Sequence, residues 1–560
     1  MFIGNAAPAF GVVLFDESGR EIDRLFAGEL MFHELAFSPD GTKLGRATVA
    51  QGSPFVSWVA ERAVTATVPA GFEEVGDGVF AATLAGTRYA LLARDARVHG
   101  TSVDVEAGGS LVFWPVPEGH EPAELAGPAS HVVTGSRLAY RVAEKSVTTD
   151  LTYLADGDTA IARLPHQLGA PGTEPPPGCD LGSYPSIYGT MTLCEGSTLS
   201  WTTPRRTASA TLDLSRLDDD QRRRLGEQLA ADAARLPDFP ADTYFGGKAL
   251  QRTAMLLMVA DQVGATEQSR TLAEALDAQL SRWFDPRGCE QRQATCFVYD
   301  PDAKGMVGLT PSFGSDEFND HHFHYGYFLY AAAVMAAHDP GVVDRYAPVV
   351  DLLAADLASA GSKAFPDRRT FDAYASHSWA SGTSPFADGN NQESVSEAVN
   401  AWAGLDLWAK ATGDESLEAE AGWMLSLEAD SAVTYWTNPD LGQFDGYGAG
   451  IVSLNWGGKR DYATWFSDAP AAKLAILLLP MSPSSGYLAG DPDRIRANVA
   501  AATGGKFAQK FGDYLLMYAA LAGPQDRAKA LDQVASLPDD VLDDGLSRTY
   551  LLAWLLAPPA

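Results

Sequence analysis

Positive charge is scarce in this chain: 41 Lys and Arg stand against 72 Asp and Glu, a formal net charge of −31 over 560 residues. Such a surface repels phosphate polyanions and acidic lipid headgroups, so neither nucleic acid nor a membrane surface is an expected partner. A strongly anionic polysaccharide is disfavoured for the same reason, which leaves a neutral or cationic partner. Long apolar runs are also missing. The richest, Ala471 to Met481 and Tyr550 to Leu556, fall short of the roughly 20 residues that span a bilayer and read as buried helix. Residues Met1 to Asn5 lack the basic and apolar regions of a secretory signal, which fits a cytosolic chain or a numbering that begins after a processed leader. Cysteine is rare, with four residues in two local pairs, Cys179/Cys194 and Cys289/Cys296. An even count and local pairing suit two disulfides in an oxidising compartment, the first closing a loop of about 15 residues with a contribution around 3 kcal/mol. Buried free thiols are the alternative. The spacings are not those of a zinc site.

What is present is an ordinary globular composition, 46% apolar and 10% aromatic, in a chain long enough for about two to four domains. The first two hundred residues read as β structure. Leu138, Tyr140 and Val142 alternate strictly, and β-branched runs are bounded by turn signals such as Ser18-Gly19 and Asp40-Gly41. Leu168 to Gly178, with Pro171, Pro175, Pro176 and Pro177, reads as a loop, and Glu195-Gly196 as the turn of a hairpin. Many short strands with Gly-rich turns predict a sandwich. From about Leu212 the period becomes helical. Leu250, Ala254 and Leu257 share a face and Gly264 ends that helix. Ten more helices are predicted over 216–235, 265–283, 320–337, 341–358, 391–411, 414–431, 470–479, 505–521, 524–536 and 543–556. No fixed repeat argues for a solenoid, and about a dozen helices in one unit predict an α/α toroid with its loops gathered at one mouth.

Two segments crowd polar residues where a helix should simply start. In Phe318-Asn319-Asp320-His321-His322-Phe323-His324-Tyr325-Gly326-Tyr327, Asn319 suits an N-cap, and Asp320 and His324 then share a face. Asp320 has a bland explanation as a complement to the helix dipole, but this leaves the His and Tyr cluster unexplained. A metal site on His321 and His324 lacks both the HExxH spacing and a third ligand, so no metal or cofactor is expected. In Asp388-Gly389-Asn390-Asn391-Gln392-Glu393-Ser394-Val395-Ser396-Glu397, the two glutamates lie four apart. Asn390 with Glu393 resembles a capping box, yet like charges at that spacing destabilise a helix, so the pair is better explained by chemistry. Carboxylates on two helices meeting at one mouth suit glycosidic hydrolysis, in which one protonates the leaving oxygen and another activates water or attacks directly. Seven of the twelve tryptophans fall between Trp379 and Trp465, a supply of flat faces for sugar rings. Trp402 and Trp408 read as core, whereas Trp379, Trp456 and Trp465 sit in loop-like surroundings.

At these residues the sequence resembles glycoside hydrolase family 81, the endo-β-1,3-glucanases. The matching stretches are Asp242-Thr243-Tyr244-Phe245-Gly246-Gly247-Lys248, Asn319 to Gly326, His377-Ser378-Trp379-Ala380-Ser381-Gly382, Asn391-Gln392-Glu393-Ser394 with Glu397, and Asp461-Tyr462-Ala463-Thr464-Trp465-Phe466, with weaker echoes at Leu164-Pro165-His166 and Leu479-Pro480-Met481. The resemblance implies an N-terminal β-sandwich (1–167), a small α/β connecting element (168–211) and a C-terminal (α/α)6 toroid (212–560). It implies endo-hydrolysis of β-1,3-glucan with inversion and without a metal; the substrate class and the cysteine pairing point to secretion, and a monomer is expected. Carried over by motif, Asp320 is the general acid and one of Glu393 and Glu397 the general base, with Glu393 the first choice. Tyr244, Lys248, His324, His377 and Asp388, with Asn319, Trp379 and Tyr462, are expected to line the glucan groove. Asn390 stands where the family often has Lys. Two rival readings remain: an α/α-toroid polysaccharide lyase using Asn319, His322 and Tyr325, and a non-catalytic glucan-binding protein.

Overall fold

β-Branched and aromatic residues at alternate positions build the N-terminal third into antiparallel sheets. The computed structural model describes residues 31–37, 43–68, 70–169, 176–236, 238–359 and 361–559. The turns expected at Ser18-Gly19 and Asp40-Gly41, and part of the loop expected over Leu168–Gly178, lie outside them. Strands β1 (Met31–Phe37), β2 (Lys43–Ala50), β3 (Val56–Ala60), β4 (Val64–Thr67), β5 (Glu73–Gly76), β6 (Val79–Leu84), β7 (Thr87–His99) and β8 (Ser102–Pro115) form one sheet in the order β1-β2-β3-β8-β7-β6-β5, with β4 also on β8. After the one-turn helix α1 (Ala126–Ala129) come β9 (Gly135–Val142), β10 (Ser146–Leu154), β11 (Thr159–Arg163), β12 (Ser183–Ser186), β13 (Gly189–Gly196) and β14 (Thr198–Pro204). They make two three-stranded sheets, β14-β10-β9 and β11-β13-β12. Ala90, Leu92, Val112 and Trp114 of the large sheet share a core with Leu151, Ile161, Leu193 and Trp201 of the small ones. Their neighbours Tyr89 and Leu91 point the other way, into a second core with Val103 and Leu111.

The alternation predicted at Leu138, Tyr140 and Val142 is present on β9, whose inward face packs on the helices. Two expectations are corrected. Glu195-Gly196 does not turn a hairpin, because β13 pairs with β11 and β12 while β14 crosses into the neighbouring sheet to pair with β10. For the same reason the boundary expected at residue 167 is displaced. Residues 183–204 return to pair with strands already laid down, so the sheet-rich region runs to Pro204 and 168–211 is not a separate connecting element.

The remainder is helical: α2 (Asp219–Ala233), α3 (Thr243–Val263), α4 (Thr266–Trp283), α5 (Gly288–Gln291), α6 (His321–His338), α7 (Val343–Leu357), α8 (Val395–Thr412), α9 (Glu415–Ser431), α10 (Pro470–Ala475), α11 (Pro492–Thr503), α12 (Gly512–Ala520), α13 (Pro524–Val534) and α14 (Arg548–Leu556). Short strands β15 (Phe297–Asp300), β16 (Gly305–Gly308), β17 (Phe371–Asp372), β18 (His377–Ser378), β19 (Asn391–Gln392), β20 (Leu454–Trp456) and β21 (Arg460–Asp461) lie in the connections. Helix starts follow from local chemistry: Asp218 and Gln221 cap α2 reciprocally, and Asp242 accepts the N–H groups of Tyr244 and Phe245 at the head of α3. Gly264 ends α3 in the left-handed conformation, as predicted. The helices predicted from 391, 505 and 543 begin later, at Val395, Gly512 and Arg548, and the one over 470–479 stops at Ala475. Helix α11 was not anticipated, although Asp491-Pro492 is a proper start signal. No helix among the described residues is long and apolar enough to cross a membrane.

Two features position the site. The sheet-rich region braces the loop around β17 and β18. Gln167 Nε2 donates to Tyr374 O at 2.7 Å and Tyr374 OH to Ala162 O at 2.7 Å. Trp423 of α9 donates to Thr149 Oγ1 at 2.8 Å and stacks on Tyr140 with ring centres 4.7 Å apart. Helices α6 and α8, which lead away from the two polar segments, cross at backbone contact. A Cβ on Gly326 would lie 2.6 Å from Ala401 Cα, and one on Gly404 2.8 Å from Tyr330 N. Neither obstruction is a flexible side-chain end, so the helices themselves must separate to admit a methyl group. Gly326→Ala is therefore expected to cost about 1–3 kcal/mol, read as a lowered midpoint in urea. An unchanged midpoint would show that α6 and α8 do not meet there.

Candidate active site

Asp320 is reached through a strained turn. Phe318 and Asp320 both adopt left-handed backbone conformations, with φ of 63° and 55°, an arrangement that costs of order 1 kcal/mol at each residue. The expectation that Asn319 caps α6 is corrected: its amide donates instead to Phe313 O at 2.8 Å, and Asp320 occupies the cap position. Asp320 does not use its carboxyl to cap. Its backbone N–H donates to Ala380 O at 2.8 Å and its carbonyl accepts His324 N–H at 3.1 Å, while the carboxyl accepts nothing from the helix. The dipole explanation thus leaves the carboxyl without a bond to show for it. Burial, then the charges of Glu397 and Glu393, push it well above the usual carboxylate range.

The second segment is also rearranged. Helix α8 starts at Val395, so Glu393 precedes it and the two glutamates do not share helical turns. The capping box is absent as well. Asn390 Oδ1 accepts Ser381 N–H at 2.9 Å and its Nδ2 donates to Ser381 O at 2.8 Å. Tertiary structure nevertheless brings Glu393, Glu397 and Asp320 within electrostatic reach of one another. Glu393 is half-buried, and its Oε1 accepts the backbone N–H of Trp465 at 2.9 Å. Burial raises it to about 7, opposed by that N–H and reinforced by the charge of Glu397. Glu397 is fully buried and accepts the Tyr327 hydroxyl at 2.6 Å. Burial raises it too, while the hydroxyls of Ser394, Tyr327 and Tyr244 and the charge of Lys248 pull it back.

Several expected groove residues are corrected, because the structure places them beneath the surface. Lys248 is buried and paired with buried Asp543 at 2.7 Å. His324 is buried against Thr243 Oγ1 at 2.8 Å, and burial followed by the neighbouring His321 lowers it to about 3. His377 is buried between the Tyr188 hydroxyl and Ser378 O, and Trp379 is buried with its indole donating to Asp372 at 3.1 Å. Asp388 is exposed and paired with Lys459 at 3.0 Å, and Tyr462 lines a cavity of about 580 Å³ with Tyr447, Ile451 and Arg494. The lyase constellation does not assemble: Asn319 turns to Phe313, His322 stacks behind Trp402, and Tyr325 donates to Met306 O. His321 pairs with Asp356, so the histidines diverge, and among the described residues no group of three or more His, Cys, Asp or Glu is placed to hold a metal ion. Trp402 and Trp408 are core, as expected, whereas Trp456 is buried beside Phe386 and the exposed Trp465. Both cysteine pairs are joined as disulfides.

Sequence reasoning missed part of the aromatic lining. Tyr244, Phe245 and Phe313 form one group with ring centres 5.1–6.0 Å apart, and Phe386, Trp456 and Trp465 form another at 5.3–5.6 Å. Phe313 and Trp465 are more than half exposed, at 56% and 57%. The first group adjoins Glu397 through Tyr244 and the second adjoins Glu393 through the Trp465 N–H. Phe313 and Phe386 each stand alone among Pro, Ser and Ala in sequence, which gives no signal of such a role.

The profile of the glycosyl hydrolase family 81 C-terminal domain matches residues 223–556. The chain is 32% identical over 444 residues to a glucan endo-1,3-beta-D-glucosidase of Acetivibrio thermocellus, covering 76% of this chain and 56% of that protein. It is 31% identical over 545 residues to a glucan endo-1,3-beta-D-glucosidase of Thermobifida fusca, covering 92% and 70%. A mutant glycoside hydrolase family 81 protein from Clostridium thermocellum superposes with a TM-score of 0.83 at 28% identity, covering 94% of this chain and 76% of that one. The chain thus spans little more than half the length of the first of these relatives.

Burial also raises Glu428 of α9, to about 8. A carboxyl raised in the folded state is protonated in both states below its unfolded value near 4.5, and folding loses stability as pH climbs from there through the folded value. Glu428→Gln carries no such titration. Its stability relative to the parent chain is expected to rise between pH 5 and pH 8.5, measured as ΔG in urea at both pH values. A pH-independent difference would place an ionised Glu428 in the folded protein.

Proposed function

Because the chain belongs to glycoside hydrolase family 81, we propose that it cleaves internal β-1,3 bonds of a neutral glucan by single displacement with inversion. The observation that carries this reading is the meeting of three carboxyls between two aromatic groups, each raised in proton affinity by burial and two of them, Asp320 and Glu393, also by the charge of Glu397. A cleft that holds protonated and ionised carboxyls together can donate and accept protons in one step, and exposed aromatic faces suit pyranose rings. The sheet-rich region reads as the family's β-sandwich and the helices as its (α/α)6 toroid. The acidic surface fits a neutral glucan, and the two disulfides fit action outside the reducing cytosol by a secreted monomer.

Roles divide by exposure and hydrogen bonding. Asp320 is half-buried with its carboxyl unspent, and its raised proton affinity suits the general acid that protonates the leaving oxygen. Glu393 is half-buried with one backbone donor on Oε1, which leaves Oε2 to accept a proton from water on the opposite face of the sugar. Glu397 is closed off and its oxygens are held by hydroxyl groups. Its charge raises both of the others. Inversion requires the acid and base carboxyls to stand about 6.5–9.5 Å apart, with room for that water.

Incubation with laminarin, with the anomeric protons followed by NMR from the first minutes, should show the α-anomer first. Initial β-anomer would overturn inversion, and no cleavage would overturn the activity. Asp320→Asn is expected to lower kcat by about 10²–10⁴-fold while laminarin binding persists. Binding lost together with folding would return Asp320 to a structural role.

The pH profile has a definite sign. Glu393 must be ionised, so kcat/KM should fall as pH drops below about 7, while burial and the charges of Glu397 and Glu393 favour the acid form of Asp320. Glu397→Gln removes a charge that raises Glu393, so in the residual activity of this variant the acid limb should move to lower pH. An unmoved limb would show that Glu393 is not the group titrating there.

A further inference from the structure

Behind the carboxyls, hydrogen bonds from three separate elements converge on one side chain that the proposed chemistry does not use. Glu428 is completely buried. Its Oε2 accepts the Ser378 backbone N–H at 2.8 Å and the Trp402 indole N–H at 3.2 Å. Its Oε1 accepts the Ser378 hydroxyl at 3.2 Å and lies 3.5 Å from Gln392 Nε2, which also donates to Ser378 Oγ at 2.7 Å. The donors belong to β18, β19 and α8.

Each donor leads to a carboxyl of the site. Ser378 lies two residues before Ala380, whose carbonyl receives the Asp320 N–H at 2.8 Å and whose own N–H donates to Asn391 O at 2.7 Å. Gln392 immediately precedes Glu393, and its carbonyl is held by the Trp436 indole at 3.3 Å. Trp402 stands on α8, the helix that carries Glu397. We infer that Glu428 is a positioning residue for the proposed hydrolysis: it clamps the segments carrying Asp320 and Glu393 at a fixed separation without touching the glucan. The inference rests on the acid and base roles proposed above.

The physical reason is that the Ser378 and Trp402 N–H groups are buried obligate donors. An apolar side chain at 428 leaves them unsatisfied, and the strands must shift to find partners. A displacement of about 1 Å between reacting groups costs on the order of 10²-fold in rate. A glutamine keeps an acceptor for both N–H groups, and its own amide can donate to Ser378 Oγ.

The test is laminarin kinetics of Glu428→Leu and Glu428→Gln beside the parent chain and Asp320→Asn. Glu428→Leu should lose on the order of 10²-fold in kcat with KM within about threefold, the signature of lost transition-state alignment rather than lost binding. Glu428→Gln should stay within about fivefold of the parent in kcat. Parent-like kcat in Glu428→Leu, or equal losses in both variants, would overturn the inference. Should Glu428→Leu fail to fold by circular dichroism, Trp402→Phe removes one donor and keeps an aromatic ring against His322 and Phe371. It should lower kcat about tenfold at unchanged KM, and an unchanged kcat would overturn the clamp. A parent chain inactive on laminarin overturns the functional reading itself, whereas an active parent with an indifferent position 428 overturns the positioning role alone.

Discussion

The architecture of the site depends on the backbone contact between α6 and α8. Gly326 and Gly404 let the two helices approach until main chain meets main chain, closer than any pair with side chains between them would allow. The head of α6 carries Asp320 and the approach to α8 carries Glu393, so the crossing sets how the acid faces the proposed base. The loop through β17 and β18 then ties the two heads together by the chain of hydrogen bonds from Asp320 to Ala380 to Asn391.

Such closeness destabilises the fold. Three carboxyls are brought out of bulk water and made to feel one another, and the protein accommodates this by raising their proton affinity rather than by pairing each with a cation. The buried Lys248, whose charge reaches Glu397, is already paired with Asp543. The left-handed backbone at Asp320 adds strain. Both are costs that the extensive helical core and the bracing sheets can bear, and both are of the kind found where chemistry is done.

Much of this was legible beforehand because it rests on short-range rules. The change from period two to a helical period separates sheets from helices, Asp242 and Gly264 bound α3, and the polar segments ahead of apolar helices hold Asp320, Glu393 and Glu397, which the fold brings within electrostatic reach. Where such rules were pushed one step further they failed. Glu195-Gly196 has hairpin composition, yet the strands on either side of it find partners in different sheets. Glu393 and Glu397 have helical spacing, yet Glu393 is held outside the helix by Asn391 pairing with Trp456 and by the Trp465 N–H. His377, Trp379 and Lys248 lie in distinctive motifs, but a motif does not say which side of a wall a side chain takes.

The sequence alone therefore determined the order of the two regions, the start of α3 and the two polar segments that hold Asp320, Glu393 and Glu397, since each is written in residues within a few positions of one another. The tertiary structure decided which carboxyls reach solvent, which aromatic residues flank them, and that Glu428 gathers β18, β19 and α8. Exposure and hydrogen-bond partnership depend on segments tens to hundreds of residues apart, as when Tyr327 meets Glu397 or Gln167 meets Tyr374. No local propensity encodes such meetings, because they come into being only when the whole chain has closed around them.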